Sequence, residues 1–151
     1  MFFDRKISFF ELEVTGREDA LRKMSDALLA ADLVSASFQR GILEREETFP
    51  TGLAVEPVGV AIPHTDADKV ITPQIAFASL KKPVKFYMMG NGKEEIEVSL
   101  IFMLALKKAE DQIIMLQRLM EIFQYRSLLE EFASCENQEN LDGLLSKVGL
   151  E

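Results

Sequence analysis

Apolar residues recur every three or four positions near the start of the chain, which is the spacing of an amphipathic helix. The pattern predicts a first helix over residues 17–32, with a buried face made of Leu21, Met24, Leu28 and Leu29. A second helix is predicted over about 37–47, with Phe38 and Ile42 facing inward. The sequence FPTG at 49–52 then ends this helix, because proline and glycine interrupt helical structure.

The middle of the chain changes to short apolar runs that are typical of strands. Runs at 58–62, 74–80 and 84–90 predict three strands, and the turn GNGKEE precedes a fourth at 96–106. The fourth run, IEVSLIFMLAL, is apolar on both faces near its end, as is usual for a central strand covered on both sides.

The last third returns to helical spacing. Helices are predicted over 110–124, 126–133 and 137–148. The first of them is expected to bury Ile113, Leu116, Met120 and Phe123, with Leu119 beside them. Helices first, strands in the middle and helices last predict an α/β fold, a single domain over 1–151 with a mixed central β-sheet and helices on both faces.

Charge and cysteine content narrow the possible functions. The net charge is −8, with 17 basic residues scattered among 25 acidic ones, which argues against binding to nucleic acid or to an anionic membrane surface. No apolar run approaches the ~20 residues that span a bilayer, and the start of the chain does not resemble a secretion signal. The single cysteine, Cys135, excludes an internal disulfide and a cysteine-based zinc cluster. We therefore expect a cytoplasmic protein, without a metal or cofactor.

The only histidine, His64, lies in the sequence GVAIPHTDAD at 59–68. A lone histidine is more often a structural residue whose polar atoms are satisfied. Here, however, it directly follows a buried strand, where α/β sheets tend to bind ligands. Pro63 restricts the preceding backbone, Thr65 can supply a hydrogen bond, and Asp66 or Asp68 could orient the ring. A neutral imidazole so placed can attack an electrophile such as phosphorus.

A phosphoryl group transferred to histidine needs positive charge around its oxygens, and Arg45 is the best candidate to provide it. The alternative is an exposed arginine that pairs with Glu44, Glu46 or Glu47. A metal site in the string H-x-D-x-D is not expected, because neighbouring loop residues rarely supply three converging ligands.

The segment ILEREETFPTGLAVEPVGVAIPHTDADKV at 42–70 resembles the active-site region of fructose/mannitol-type enzyme IIA domains of the phosphoenolpyruvate:sugar phosphotransferase system. The resemblance extends to VSLIFMLAL and LQRLMEIF, and so covers nearly the whole chain. It implies that His64 takes a phosphoryl group from the small phosphocarrier protein HPr. The group then passes to a cysteine of a cognate IIB component, which serves a membrane IIC component, while Arg45 stabilises the phosphoryl group.

One position departs from the family pattern. Many members carry a second histidine after the long strand, where this chain has Gln112, whose amide could donate a hydrogen bond to a phosphoryl oxygen. This glutamine and the form of the loop look most like the galactitol-type branch. Two alternatives stay open: a regulatory, nitrogen-type IIA-like signalling protein, and a metal-dependent hydrolase or binding module. Leu53 and Val55 are expected to offer a docking surface for HPr and IIB.

Overall fold

Five strands and five helices make up the computed structural model, which describes residues 1–151. The first half contains β1 (Ser8–Leu12), α1 (Arg17–Ala30), α2 (Phe38–Thr48), β2 (Gly52–Leu53) and β3 (Gly59–Ala61). The second half contains β4 (Gln74–Met88), β5 (Asn91–Ala105), α3 (Ala109–Ile122), α4 (Arg126–Ala133) and α5 (Gln138–Val148). No helix is both long enough and apolar enough to cross a membrane.

The sheet is built on a long antiparallel hairpin of β4 and β5. On one side β1 pairs with β4 in parallel, and on the other β3 pairs with β5 in parallel. The short β2 is antiparallel to β3 and meets the far end of β4 through Gly52 and Met88. The sheet is therefore mixed, as predicted.

Side chains alternate between the two faces of the sheet, and each face is covered by a different set of helices. Phe77 of β4 and Phe102 of β5 point to the face packed by α3, α4 and α5. Ala78 and Ile101 of the same strands point to the face packed by α1 and α2. This arrangement confirms the predicted fold class, an α/β domain with helices on both faces.

Three parts of the strand prediction were wrong. The runs at 74–80 and 84–90 belong to one strand, β4, whose register shifts between Ser79 and Val84 around Pro83. The turn before β5 is also tighter than predicted, because β5 begins at Asn91. The prediction missed β1 and the two-residue β2. Both are short, and the sequence SFFEL of β1 does not alternate cleanly between apolar and polar residues.

The helices begin and end close to the predicted residues, but α3 is rotated relative to the predicted face. Its buried residues are Met115, Leu119 and Ile122, with Phe123 just beyond its end. Ile113 and Met120, which were expected inside, are 57% and 40% exposed. Leu29 at the end of α1 is also exposed rather than buried.

Candidate active site

His64 lies at the edge of the sheet where two parallel strands end. It follows β3 by three residues and pairs with Leu104 near the end of β5. The backbone N–H of Leu104 donates to the carbonyl of Pro63 over 2.9 Å, which ties the residue before the histidine to the central strand. The sequence placed His64 at a strand end, and the structure confirms that position.

A hydrogen bond fixes the orientation of the half-buried His64 ring. Its Nδ1 lies 2.9 Å from the carbonyl oxygen of Ile62. A carbonyl oxygen can only accept, so Nδ1 carries the hydrogen and Nε2 keeps its lone pair in the neutral ring. Burial lowers the pKa of His64 below its usual value of 6.5, and the charge of Arg45 adds to that lowering. At neutral pH the ring is therefore an uncharged imidazole with a nucleophilic Nε2.

Arg45 lies in the last turn of α2, and its charge acts on His64. The guanidinium does not pair with its glutamate neighbours in sequence. Its Nη1 lies 3.6 Å from Oδ1 of Asp66, and its Cζ lies 4.9 Å from the centre of the Phe49 ring. Its Nε is buried without a hydrogen-bond partner. The guanidinium thus keeps an unused donor next to the histidine loop.

An open cavity of about 460 Å³ lies between α2 and the loop after His64. Thr65 is buried at its wall, and the Thr65 side chain forms no hydrogen bond within the protein. The hydroxyl fits there because residue 41 is glycine: a Cβ at Gly41 would come within 2.7 Å of Thr65 Oγ1. Lys69 adds a second cation to this wall, with its Nζ 3.9 Å from Asp66 Oδ2.

Gln112 occupies the first turn of α3, the helix that follows β5. Its side-chain oxygen Oε1 is buried without a hydrogen-bond partner, and no hydrogen bond joins it to His64. The helix that carries it follows β5, the strand whose end pairs with His64. An unsatisfied buried amide of this kind is uncommon in folded proteins.

Some partners of the site residues were not predictable from side-chain types. The sequence suggested that Asp66 or Asp68 would orient the His64 ring, but the ring is held by the backbone carbonyl of Ile62. Asp66 contacts Arg45 and Lys69 instead. The sequence analysis did not select Lys69, which directly follows the histidine motif at 59–68.

Two other candidate chemistries have no geometric basis. No group of three or more His, Cys, Asp or Glu side chains lies close enough together to hold a metal ion. Cys135 is buried between α4 and α5, and burial raises the pKa of its thiol to about 11. Because the thiolate is the reactive form of cysteine, this thiol is a poor nucleophile at neutral pH.

The arrangement supports attack by one nitrogen on an anionic electrophile. Nε2 of His64 has a free lone pair, and Arg45 supplies positive charge beside it. Charge and nucleophile so combined suit phosphoryl transfer, which depends on positioning and on neutralising the equatorial oxygens.

Comparison with known proteins also relates this chain to proteins of phosphoryl transfer. The sequence model of the family described as "Phosphoenolpyruvate-dependent sugar phosphotransferase system, EIIA 2" matches residues 1–148. The galactitol-specific EIIA component of Escherichia coli K12 is 25% identical over 130 residues, which are 86% of this chain and 83% of that protein. The ascorbate-specific EIIA component of Salmonella paratyphi A is 26% identical over 139 residues, which are 91% and 88% of the two chains.

A solved structure has the same fold. It is the complex of the mannitol enzyme IIA with the phosphorylated mannitol enzyme IIB of Escherichia coli. The match has a TM-score of 0.76 at 20% identity, and covers 93% of this chain and 94% of that chain. At this identity the likeness is evidence about the fold alone.

Proposed function

The chain belongs to the phosphoenolpyruvate-dependent sugar phosphotransferase system EIIA 2 family, and we propose that it is a phosphocarrier whose acceptor is His64. In this proposal the chain acts as a single EIIA domain. HPr supplies the phosphoryl group, and a cysteine of a cognate IIB component receives it. Through IIB the group serves sugar uptake by a membrane IIC component.

The observation that carries the proposal is the hydrogen bond between His64 Nδ1 and the Ile62 carbonyl. It leaves Nε2 as the nucleophile, so we assign phosphorylation to Nε2. In the forward step, Nε2 forms a bond to phosphorus while the bond to the HPr nitrogen breaks. The electron pair of that bond returns to the HPr imidazole. The His64 ring becomes cationic, and its Nδ1–H donates more strongly to the Ile62 carbonyl.

Three further residues have proposed roles toward the phosphoryl group. The Arg45 guanidinium neutralises charge on the equatorial oxygens, and its unpaired buried Nε is an available donor. The Thr65 hydroxyl has no partner within the protein and can donate to an oxygen. The Gln112 side chain can do the same from the start of α3 through its amide N–H, since its unpartnered oxygen Oε1 can only accept.

We also propose that the chain serves a galactitol-type transport system, and that apolar residues near the site contact partner proteins. The galactitol-specific relative supports the first proposal. An ascorbate-specific relative has a similar identity, so a sugar alcohol and an acidic sugar derivative are the two substrate classes to compare. Leu53 and Val55 are half-buried next to β3, and Phe49 is 60% exposed next to Arg45. Apolar side chains in such positions fit contact with partner proteins.

The deciding experiment is phosphoryl transfer from phosphoenolpyruvate through enzyme I and HPr, with the wild type and His64→Ala compared. Labelling of the wild type alone is expected, since no other histidine exists in the chain. Acid lability of the label and its release on adding a IIB component would identify a phosphohistidine that is passed on. An unlabelled wild type with an intact fold would refute the phosphocarrier role, and a labelled protein that no IIB discharges would favour the regulatory alternative.

A further inference from the structure

Glu46 is a buried acid close to the candidate site, but it is not one of the residues proposed to contact the phosphoryl group. Glu46 is next to Arg45 in α2, yet its side chain points the opposite way, into the protein, and the residue is only 5% exposed. Buried carboxylates are costly unless they are well hydrogen-bonded. The stability of this buried carboxylate therefore depends on its hydrogen-bond donors.

Both oxygens of the Glu46 carboxylate accept hydrogen bonds from one residue. The backbone N–H of Thr51 donates to Oε2 over 2.8 Å, and the Thr51 hydroxyl donates to Oε1 over 2.9 Å. Two donors and no acceptor around the group are the surroundings of an ionised carboxylate. Burial raises the pKa of Glu46, and the two bonds from Thr51 oppose that rise. The pair fixes the FPTG turn against the last turns of α2.

The chain of hydrogen bonds does not stop at Thr51. The carbonyl of Thr51 accepts from the backbone N–H of Ile62 over 3.4 Å. The carbonyl of Ile62 in turn holds Nδ1 of His64 at 2.9 Å. Three successive hydrogen bonds therefore link the Glu46 carboxylate to the histidine ring by way of the backbone of Thr51 and Ile62.

The N–H and the C=O of one residue belong to different peptide groups, so these bonds act by fixing the position of the backbone and not by polarising one another. The bond to the Thr51 carbonyl fixes the backbone at Ile62, and the Ile62 carbonyl holds the ring in the tautomer with a free Nε2. The same carboxylate fixes the helix turn that carries Arg45. One buried group thus sets the positions of both the nucleophile and the cation.

We propose that Glu46 and Thr51 are positioning residues that hold His64 in its Nδ1–H tautomer and align it with Arg45. This inference deepens the proposed function and rests on it for its catalytic consequence. The statement about the tautomer stands on the hydrogen bonds alone. It can therefore be tested in the unphosphorylated protein.

The test uses the fact that the chain has one histidine. Labelling histidine with ¹⁵N gives two ring-nitrogen signals, whose shifts report the tautomer of His64 directly. Glu46→Gln keeps the volume and removes the charge, and Thr51→Val removes the hydroxyl while keeping the backbone N–H. The matched controls are Glu47→Gln, an exposed acid on the same helix, and Thr51→Ser, which keeps the hydroxyl.

In the wild type and both controls we expect the Nδ1–H tautomer to predominate. In Glu46→Gln and Thr51→Val the tautomer ratio should fall roughly fivefold, the weight of one ordinary hydrogen bond. Transfer from phospho-HPr should slow on the order of 10-fold in both, less than the ~100-fold that a 1 Å misplacement can cost. A residue with only a structural role would lower the melting temperature and leave the tautomer unchanged.

The proposal is overturned if the two variants fold cooperatively and keep the tautomer ratio and transfer rate of Glu47→Gln. If Glu46→Gln does not fold, Thr51→Val alone decides, because it leaves the carboxylate and one of its donors in place. A wild type that is not phosphorylated, with the expected tautomer changes in the variants, would count against the phosphocarrier function and not against the positioning role.

Discussion

Removing the guanidinium of Arg45 tests whether the cation beside His64 acts in phosphoryl transfer. In the resting protein this side chain is already engaged, with Nη1 3.6 Å from Asp66 and the group stacked on Phe49. To serve the phosphoryl group it must exchange the carboxylate for a phosphoryl oxygen. The expected effect of Arg45→Ala is therefore the difference between two contacts.

The magnitude follows from the exposure of the resting pair. The Arg45 and Asp66 side chains are 41% and 66% exposed, and ion pairs as open as this contribute about 0–1 kcal/mol. A charge-assisted contact formed in the transition state contributes about 2–4 kcal/mol. The net loss in Arg45→Ala should be about 1–4 kcal/mol, a slowing of about 5- to 900-fold. Arg45→Lys keeps the charge but not the planar guanidinium, so its transfer rate should lie between the rates of the wild type and Arg45→Ala.

The assay is single-turnover transfer from phospho-HPr at saturating donor, followed by quenching and detection of the phosphohistidine. Arg40→Ala is the matched control, since Arg40 lies on the same helix and pairs only with the exposed Glu44. Thermal unfolding should show that the variants keep their fold. The reasoning is refuted if Arg45→Ala transfers within about twofold of Arg40→Ala, because even the lower bound of the estimate is about fivefold.

Four further predictions concern the surroundings of the ring. Because burial lowers the pKa of His64, transfer rates should rise with pH through a midpoint below 6.5 and level off above it, and a pH–rate midpoint above 6.5 would contradict this. The unfolded imidazole binds a proton more readily than the folded one, so chemical denaturation should show stability falling as pH drops below about 6.5. Asp66→Asn should speed single-turnover transfer about two- to fivefold, because Arg45 loses a competing partner worth at most ~1 kcal/mol; a slower variant would mean that Asp66 assists the reaction. Gln112→Leu should slow transfer by about fivefold, the weight of one hydrogen bond, and an unchanged rate in a folded variant would remove Gln112 from the site.

His64 and Arg45 could be proposed as site residues from the sequence because the proposal depends on side-chain type and local context. A histidine after a buried strand and an arginine at the end of a helix can both be recognised in the amino-acid sequence. The atom that orients the ring could not be identified in this way. It is the backbone carbonyl of Ile62, and every residue has a carbonyl, so no residue type marks it.

Glu46 could not be distinguished from the neighbouring acids for a related reason. In the run LEREET at 43–48 the acids look alike, and the sequence suggested solvent-exposed partners for Arg45. The structure buries one of them, and exposes Glu44 and Glu47. The difference is made by Thr51, which follows the helix and supplies two donors. A threonine in a turn, five residues after an acid in the preceding helix, is a sequence pattern that could predict such a side chain–backbone hydrogen bond.

The error in the face of α3 is instructive because it falls beside the candidate site. Helical periodicity assigns apolar residues to the core, and Ile113 was assigned there. In the structure Ile113 and Ile114 are 57% and 55% exposed, directly after Gln112, while the core contacts are made further along the helix. Leaving two β-branched apolar side chains in water has an unfavourable solvation cost unless another surface covers them for part of the time. A phosphocarrier must meet two protein partners at the end of the sheet that carries its histidine. If the proposed partners cover Ile113 and Ile114, the rule that relates hydrophobicity to burial fails at this position because the covering surface belongs to another chain.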